Sequence, residues 1–181
     1  MPFDWTILHW IQDTLRSPAM DSFMVFVTRL GNIGFFWILS ALLLMVHKRH
    51  RKKAVLLLLA LLAGQFLNNL VIKNLVQRPR PCWLDPSVRL LIDVPKDFSF
   101  PSGHSMSSAI GAAIMTWTDR RLGLVAIPLA VLIVFSRLYL YVHFPTDVLV
   151  GVVVGLSIAF AAIYLARKYG KKRPQASSEM N

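Results

Sequence analysis

The residues of this chain whose types and spacing can do chemistry fall in three short segments. Lys73 to Pro81 (KNLVQRPRP) carries Lys73, Arg78 and Arg80. Phe98 to Ser105 (FSFPSGHS) places Ser102, Gly103 and His104 in a row. Ser136-Arg137 is followed by His143, and Phe144, Pro145 and Thr146 separate His143 from Asp147. Of Lys73, Arg78, Arg80, Ser102, His104, Arg137, His143 and Asp147, four are cations and one is an acid, so the set suits an anion. Ionisable groups beside membrane segments are costly, and a cluster of them marks a functional site by default.

Each segment has a local expectation. Pro79 and Pro81 stop a helix near Gln77 or Arg78 and leave Arg80 in the following loop, while Lys73 projects from the last turns. Taken alone, such cations read as snorkelling side chains at a helix end. Pro101 and Ser102 suit a helix start, and Gly103 lets backbone come close to a ligand. The free N–H groups of that helix terminus favour an anion. His104 then stands where a proton donor is useful, although a capped helix with a chance histidine explains the tetrapeptide equally well. Pro145 suits the first turn of the last helix, which puts Asp147 about one turn beyond His143, where it can accept the ring N–H. That contact fixes the tautomer and leaves the other nitrogen as nucleophile or base. The plainer alternative is an interfacial His with an Asp complementing the helix dipole. Three such accidents in one order on one membrane face are a poor explanation.

The elements that must position these residues are apolar. The 181 residues are 55% hydrophobic and 16% charged, against roughly 25% charged in soluble domains. The apolar residues fall in blocks at 23–46, 54–72, 105–118, 122–142 and 148–166. Backbone polar groups must pair internally in hydrocarbon, so these blocks predict helices and an all-α polytopic membrane bundle of about five spans in one domain, 1–170. Gly151 and Gly155 form a small-xxx-small pattern that permits close helix approach. The segment 1–20, with Trp5, Trp10 and charges at Asp4, Asp13 and Arg16, predicts an interfacial helix, retained because it lacks signal-peptide features. The tail 171–181 is polar and expected to be disordered. Cys82 stands alone, which excludes an internal disulfide framework.

The formal charge of +11 is mostly topology. HKRHRKK at 47–53, DRR at 119–121 and RKYGKKR at 167–173 fall on one side if spans alternate, and the positive-inside tendency makes that side cytoplasmic. The three chemical segments then face outward, and the basic connections attract anionic membrane lipids. Dispersed basic residues without a binding motif argue against nucleic acid as a partner.

Together the segments resemble the type 2 phosphatidic acid phosphatase family, membrane lipid phosphatases related to vanadium haloperoxidases. Its patterns K-x6-R-P, P-S-G-H and S-R-x5-H-x3-D match Lys73 with Arg80-Pro81, Pro101-Ser102-Gly103-His104, and Ser136-Arg137 with His143 and Asp147. The resemblance implies that His143 attacks phosphorus to form a phosphohistidine, that Asp147 orients it, and that His104 protonates the leaving oxygen. It also implies that Lys73, Arg80, Ser102, Gly103 and Arg137 hold the phosphoryl oxygens, with Arg78 outside the site. No metal or other cofactor is implied. One acid in the cluster cannot build a two-metal site, and the cations take the role a divalent ion would have.

An outward site at the interface meets lipid phosphates whose tails stay in the bilayer. Undecaprenyl diphosphate is the preferred substrate, since it exposes its diphosphate with nothing attached. Phosphatidylglycerophosphate and phosphatidic acid are the alternatives. An anion or lipid transporter would spread its charges through the membrane depth, whereas these sit at one end. An idle lipid-binding member would lack part of the triad, which is complete here.

Overall fold

A computed structural model describes residues 2–170. Its helices, in chain order, are α1 (Pro2–Leu15), α2 (Pro18–Gly31), α3 (Phe35–Val46), α4 (Arg51–Phe66), α5 (Lys73–Val76), α6 (Pro81–Leu84), α7 (Gly103–Thr118), α8 (Arg120–Tyr139) and α9 (Pro145–Gly170). No strand occurs among the described residues. Four segments are long and apolar enough to cross a membrane: Pro18–Val46, Arg51–Leu84, Arg120–Tyr139 and Pro145–Tyr169. The expected all-α membrane bundle is what forms.

The short helix α7 lies at its centre, packed on α4, α8 and α9. Its sixteen residues reach about 24 Å at 1.5 Å per residue, short of a ~30 Å hydrocarbon core. The expected third span is therefore a buried axle, and its Ser and Ala content fits that place. Ser105, Ser107, Ser108, Ile110 and Ile114 are buried, and Trp37 Nε1 donates to Ser108 Oγ at 3.3 Å. Gly151 and Gly155 of α9 press onto it: a Cβ at either would stand 2.6 Å from the Ser102 carbonyl oxygen or 2.4 Å from that of Met106. The small-residue pattern thus sets the α7–α9 approach.

The first expected span, 23–46, is interrupted. Asn32–Gly34 forms a 3-10 turn between α2 and α3, with Ile33 at φ 54° and Gly34 at φ 73°. Glycine accepts that left-handed conformation without strain, and average hydropathy does not register it. The second expected span, 54–72, runs on instead through a wider π-helical turn, Leu67–Ile72, into α5. It stops at Gln77, whose φ of 47° turns the chain ahead of Pro79. The fourth, 122–142, closes early at Tyr139, because Leu140 to Phe144 form a tight turn. The fifth, 148–166, starts early at Pro145, whose fixed φ suits a first helical turn, and runs to Gly170.

Helix α1 is fourteen residues long. Phe3 and Trp10 are exposed, as expected at an interface, yet Leu8 and Ile11 are buried against the Tyr139–Phe144 turn and Asp4 is buried beside Arg78 and Thr146. It is fastened to the protein along one face. The described parts of the basic connections gather at one end: Lys53 Nζ donates to the carbonyls of Trp117 and Thr118 at 3.3 and 3.1 Å, and the Arg167 guanidinium lies 5.9 Å from the Trp117 ring. Helix α8 carries the chain from that end to His143 at the other. The tail 171–181 lies outside the described residues.

Candidate active site

At the end of the bundle away from the basic connections lies a cavity of about 610 Å³. Lys73, Arg80, Gly103, His104, Arg137 and His143 all line it. The three sequence segments, far apart in the chain, therefore converge on one space, and both imidazoles face it.

His143 is buried in the turn between α8 and α9. The turn is tied back by Leu140 N–H to Ser136 O at 2.9 Å and Tyr141 N–H to Leu138 O at 3.0 Å. Tyr141, at φ 59°, is anchored by its hydroxyl donating to Asp85 Oδ2 at 2.9 Å. On the cavity side, Arg80 Nη1 stands 3.1 Å from His143 Nε2. A guanidinium only donates, so Nε2 is the acceptor and the ring proton sits on Nδ1. Nδ1 faces Asp147 Oδ2 at 3.7 Å, too long for a hydrogen bond, and Oδ2 accepts from Phe144 N–H at 2.9 Å. Burial first, then the charges of Arg80, Arg137 and Lys73, hold the His143 imidazole well below its ordinary range, which keeps Nε2 unprotonated.

The cations are buried and mutually repulsive, and two of them are held by a residue the sequence reading did not select. Asp97 accepts from Lys73 Nζ, and its Oδ1 accepts from Arg80 Nη2 at 2.7 Å. Arg80 also donates from Nε to the Asp97 carbonyl and from Nη1 to the Val142 carbonyl, each at 2.7 Å. Partial burial would raise the Asp97 carboxyl, but the Lys73 hydrogen bond and the Arg80 charge bring it down to about 2. Arg137, in the last turn of α8, donates from Nη1 to Thr28 Oγ1. Among the described residues its buried Nε has no hydrogen-bond partner, and Arg137 lines the cavity.

His104 is the second residue of α7, and its Nε2 lies 3.0 Å from Asn32 Oδ1. The 3-10 turn that interrupts the first span is what brings Asn32 there. Gly103 lines the cavity at the helix N-terminus, where first-turn N–H groups have no intrahelical partner. Ser102 does not line it. Its Oγ accepts from Ser105 N–H at 3.4 Å and from Ser105 Oγ at 2.9 Å, so it caps α7. Asp147 also lies behind the cavity wall, as does Arg78, whose Nη1 donates to Asp147 Oδ1 at 2.5 Å. Asp97, Thr28 and Asn32 escaped the sequence reading because they act across segments, with no local spacing to reveal them. The one available signal was Asn32 between Gly31 and Gly34, an interruption in an apolar block.

The arrangement can hold a tetrahedral anion among three cations and a helix terminus, against an unprotonated imidazole nitrogen. Comparison with known proteins agrees with that chemistry. The family model of the PAP2 superfamily matches residues 53–171. The chain is 31% identical over 148 residues to an undecaprenyl-diphosphatase of Sulfolobus acidocaldarius, covering 81% of this chain and 71% of that protein. It is 32% identical over 146 residues to the undecaprenyl-diphosphatase BcrC of Bacillus subtilis, covering 80% and 74%. Among solved structures, a transmembrane PAP2-type phosphatidylglycerolphosphate phosphatase from Bacillus subtilis superposes with a TM-score of 0.77 at 28% identity, over 95% of this chain and 88% of that one.

Proposed function

Because the chain belongs to the PAP2 superfamily and is a multi-pass membrane hydrolase of lipid phosphates, we propose that it removes the terminal phosphate of undecaprenyl diphosphate through a phosphohistidine at His143. The observation that carries this reading is the single cavity shared by His143, His104 and three cations. His143 Nε2 attacks phosphorus as the bond to the leaving oxygen breaks, and that oxygen takes a proton from His104. Water then attacks the phosphohistidine, giving its proton back to His104, and inorganic phosphate leaves. Lys73, Arg80, Arg137 and the Gly103 N–H hold the equatorial oxygens, whose charge grows in the transition state. The substrate phosphate takes over the donors that Asp97 and His143 Nε2 now occupy. Ser102 contributes by fixing the start of α7, and Asp147 by facing the Nδ1 proton.

The reaction runs without a metal. Two acids line the cavity: Asp97 is engaged by Lys73 and Arg80, Asp93 is exposed, and Asp147 behind the wall is engaged by Arg78; the cations do the work of a Lewis acid on phosphoryl oxygens. Residues 1–170 act as one domain, with the site on the extracytoplasmic face because the basic connections lie at the opposite end. The cavity rim carries Ile33, Leu91, Ile92 and Val94, apolar residues suited to the first units of a prenyl tail. A phosphatidylglycerophosphate activity is the second reading, favoured by the likeness to the Bacillus subtilis structure.

Phosphate release by the purified chain in detergent with EDTA present tests the reaction. Undecaprenyl diphosphate is expected to give the highest kcat/KM of a panel with phosphatidylglycerophosphate and phosphatidic acid. Complete loss on chelation would refute the metal-free mechanism.

A further inference from the structure

Helix α1 carries a carboxylate with no obvious reason to be buried. Asp4 is 0% exposed, although a first-turn acid serves the helix dipole equally well in solvent. Burying a carboxylate costs several kcal/mol unless it is paired and its lone pairs are satisfied, and here they are. Asp4 Oδ2 accepts from Arg78 Nη2 at 2.8 Å and from Thr146 Oγ1 at 3.0 Å, and Oδ1 accepts from Thr146 N–H at 3.1 Å. Arg78 Nη1 meanwhile donates to Asp147 Oδ1 at 2.5 Å and to Thr146 Oγ1 at 2.7 Å. The Arg78 guanidinium stacks 4.1 Å from the centre of the Phe144 ring, next in chain to His143. Asp4 lies outside the stretch matched to the family, 53–171.

We propose that Asp4 is a positioning residue: through Arg78 it fixes the Asp147 carboxylate and leaves one net negative charge behind His143 as that ring becomes phosphorylated. The inference rests on the phosphohistidine reading above. The two Asp147 oxygens are divided, Oδ1 to Arg78 and Oδ2 toward His143 Nδ1 and the Phe144 N–H. Arg78 alone would orient Asp147 but also neutralise it. Adding Asp4 makes the group carboxylate, guanidinium, carboxylate, with a sum of minus one. That excess matters because the cavity side of His143 presents Lys73, Arg80 and Arg137, all opposed to a cationic imidazole, with His104 across the same cavity. Forming the Nε2–P bond while the P–O bond to the leaving group breaks places positive charge on the ring. The group behind it stabilises that charge in the transition state more than in the ground state, so its loss lowers kcat and leaves binding alone.

The test uses the full chain in detergent micelles with phosphatidic acid as probe, and compares wild type, Asp4→Asn, Arg78→Ala, the double variant and Asp13→Asn as an exposed control on the same helix. Asp4→Asn keeps the size of the side chain and is expected to lower kcat about tenfold or more, with KM and inhibition by inorganic phosphate within about twofold. Asp4→Glu should restore part of the loss, and the double variant should be no slower than Arg78→Ala, since the two act as one unit. Asp13→Asn should match wild type. Wild-type kcat in Asp4→Asn, or losses at Asp4 and Arg78 that multiply, would overturn the proposal. So would a lowered unfolding temperature with kcat unchanged, since that is a purely structural anchor. Should Asp4→Asn fail to fold, Thr146→Val removes the hydroxyl that bridges Asp4 and Arg78, and it must show the same selective fall in kcat. A wild-type chain that releases no phosphate from any lipid phosphate would instead overturn the function itself, and this inference with it.

Discussion

Replacing Arg80 by alanine removes the most heavily connected cation in the cavity. Its side chain is 3% exposed and donates to the carbonyls of Asp97 and Val142, to the Asp97 carboxylate and to His143 Nε2. Losing one preorganised transition-state donor lowers the rate by ~100- to 1000-fold, about 2.7–4 kcal/mol. The Val142 carbonyl, next to His143, is also left without its Arg80 donor, a further ~1–3 kcal/mol that loosens the turn bearing His143. The expected fall in kcat/KM is therefore about 1000-fold or more. Arg80→Lys keeps the charge, yet one ammonium cannot reproduce a planar fork reaching Asp97, Val142 and His143 together. Its rate should lie between those of wild type and alanine. Steady-state phosphate release, read beside the unfolding temperature, separates a catalytic loss from misfolding. An Arg80→Ala protein that folds and stays within tenfold of wild type would refute the cationic cup.

Other consequences follow from the same contacts. Asp97 has a depressed carboxyl, about 2 against 3.8, so the stability it contributes is present above the higher value and fades as pH falls toward the lower one. The unfolding-temperature gap between wild type and Asp97→Asn should hold steady from roughly pH 5 to 8 and close below about 4; a gap that changes near neutrality would contradict the assignment. His143 is held below the ordinary imidazole value of 6.5, so the proposed nucleophile stays unprotonated through that point, and the acid limb of kcat/KM should lie beneath it. An acid limb centred on the ordinary value would show a solvated imidazole instead. Gly155→Ala forces a Cβ to within 2.4 Å of the Met106 carbonyl and should destabilise the protein by about 1–3 kcal/mol, read as a lowered unfolding temperature. An unchanged unfolding temperature would mean that α9 does not depend on that close approach.

The extent to which sequence foretold the molecule follows from what each feature depends on. Lys73, Arg80, Gly103, His104, Arg137 and His143 stand at short spacings around prolines and helix ends, and those local rules bring them to one cavity. The number and composition of apolar blocks likewise carried the all-α bundle. What stayed hidden depends on partners distant in the chain. Asp97 joins Lys73 to Arg80, Asn32 meets His104 across 72 positions, and Asp4 reaches Thr146 across 142. Arg78, left out on sequence, proves to contact Asp147 from behind the cavity wall. Span ends moved for a related reason. Hydropathy averages over Gly31 to Gly34 and over Leu140 to Val142, while positive φ at Ile33, Gly34 and Tyr141 decides where helices stop.

The central claim is that His143 carries the phosphoryl group during turnover. Rapid acid-free quenching of His104→Ala during hydrolysis of a lipid phosphate with a good leaving group, followed by peptide mass spectrometry, tests it directly. Without His104 to activate water, the intermediate should accumulate, and one phosphoryl increment should map to the peptide bearing His143 and vanish in His143→Ala. Sustained turnover in His143→Ala, or a phosphoryl group mapped to another residue, would contradict the account.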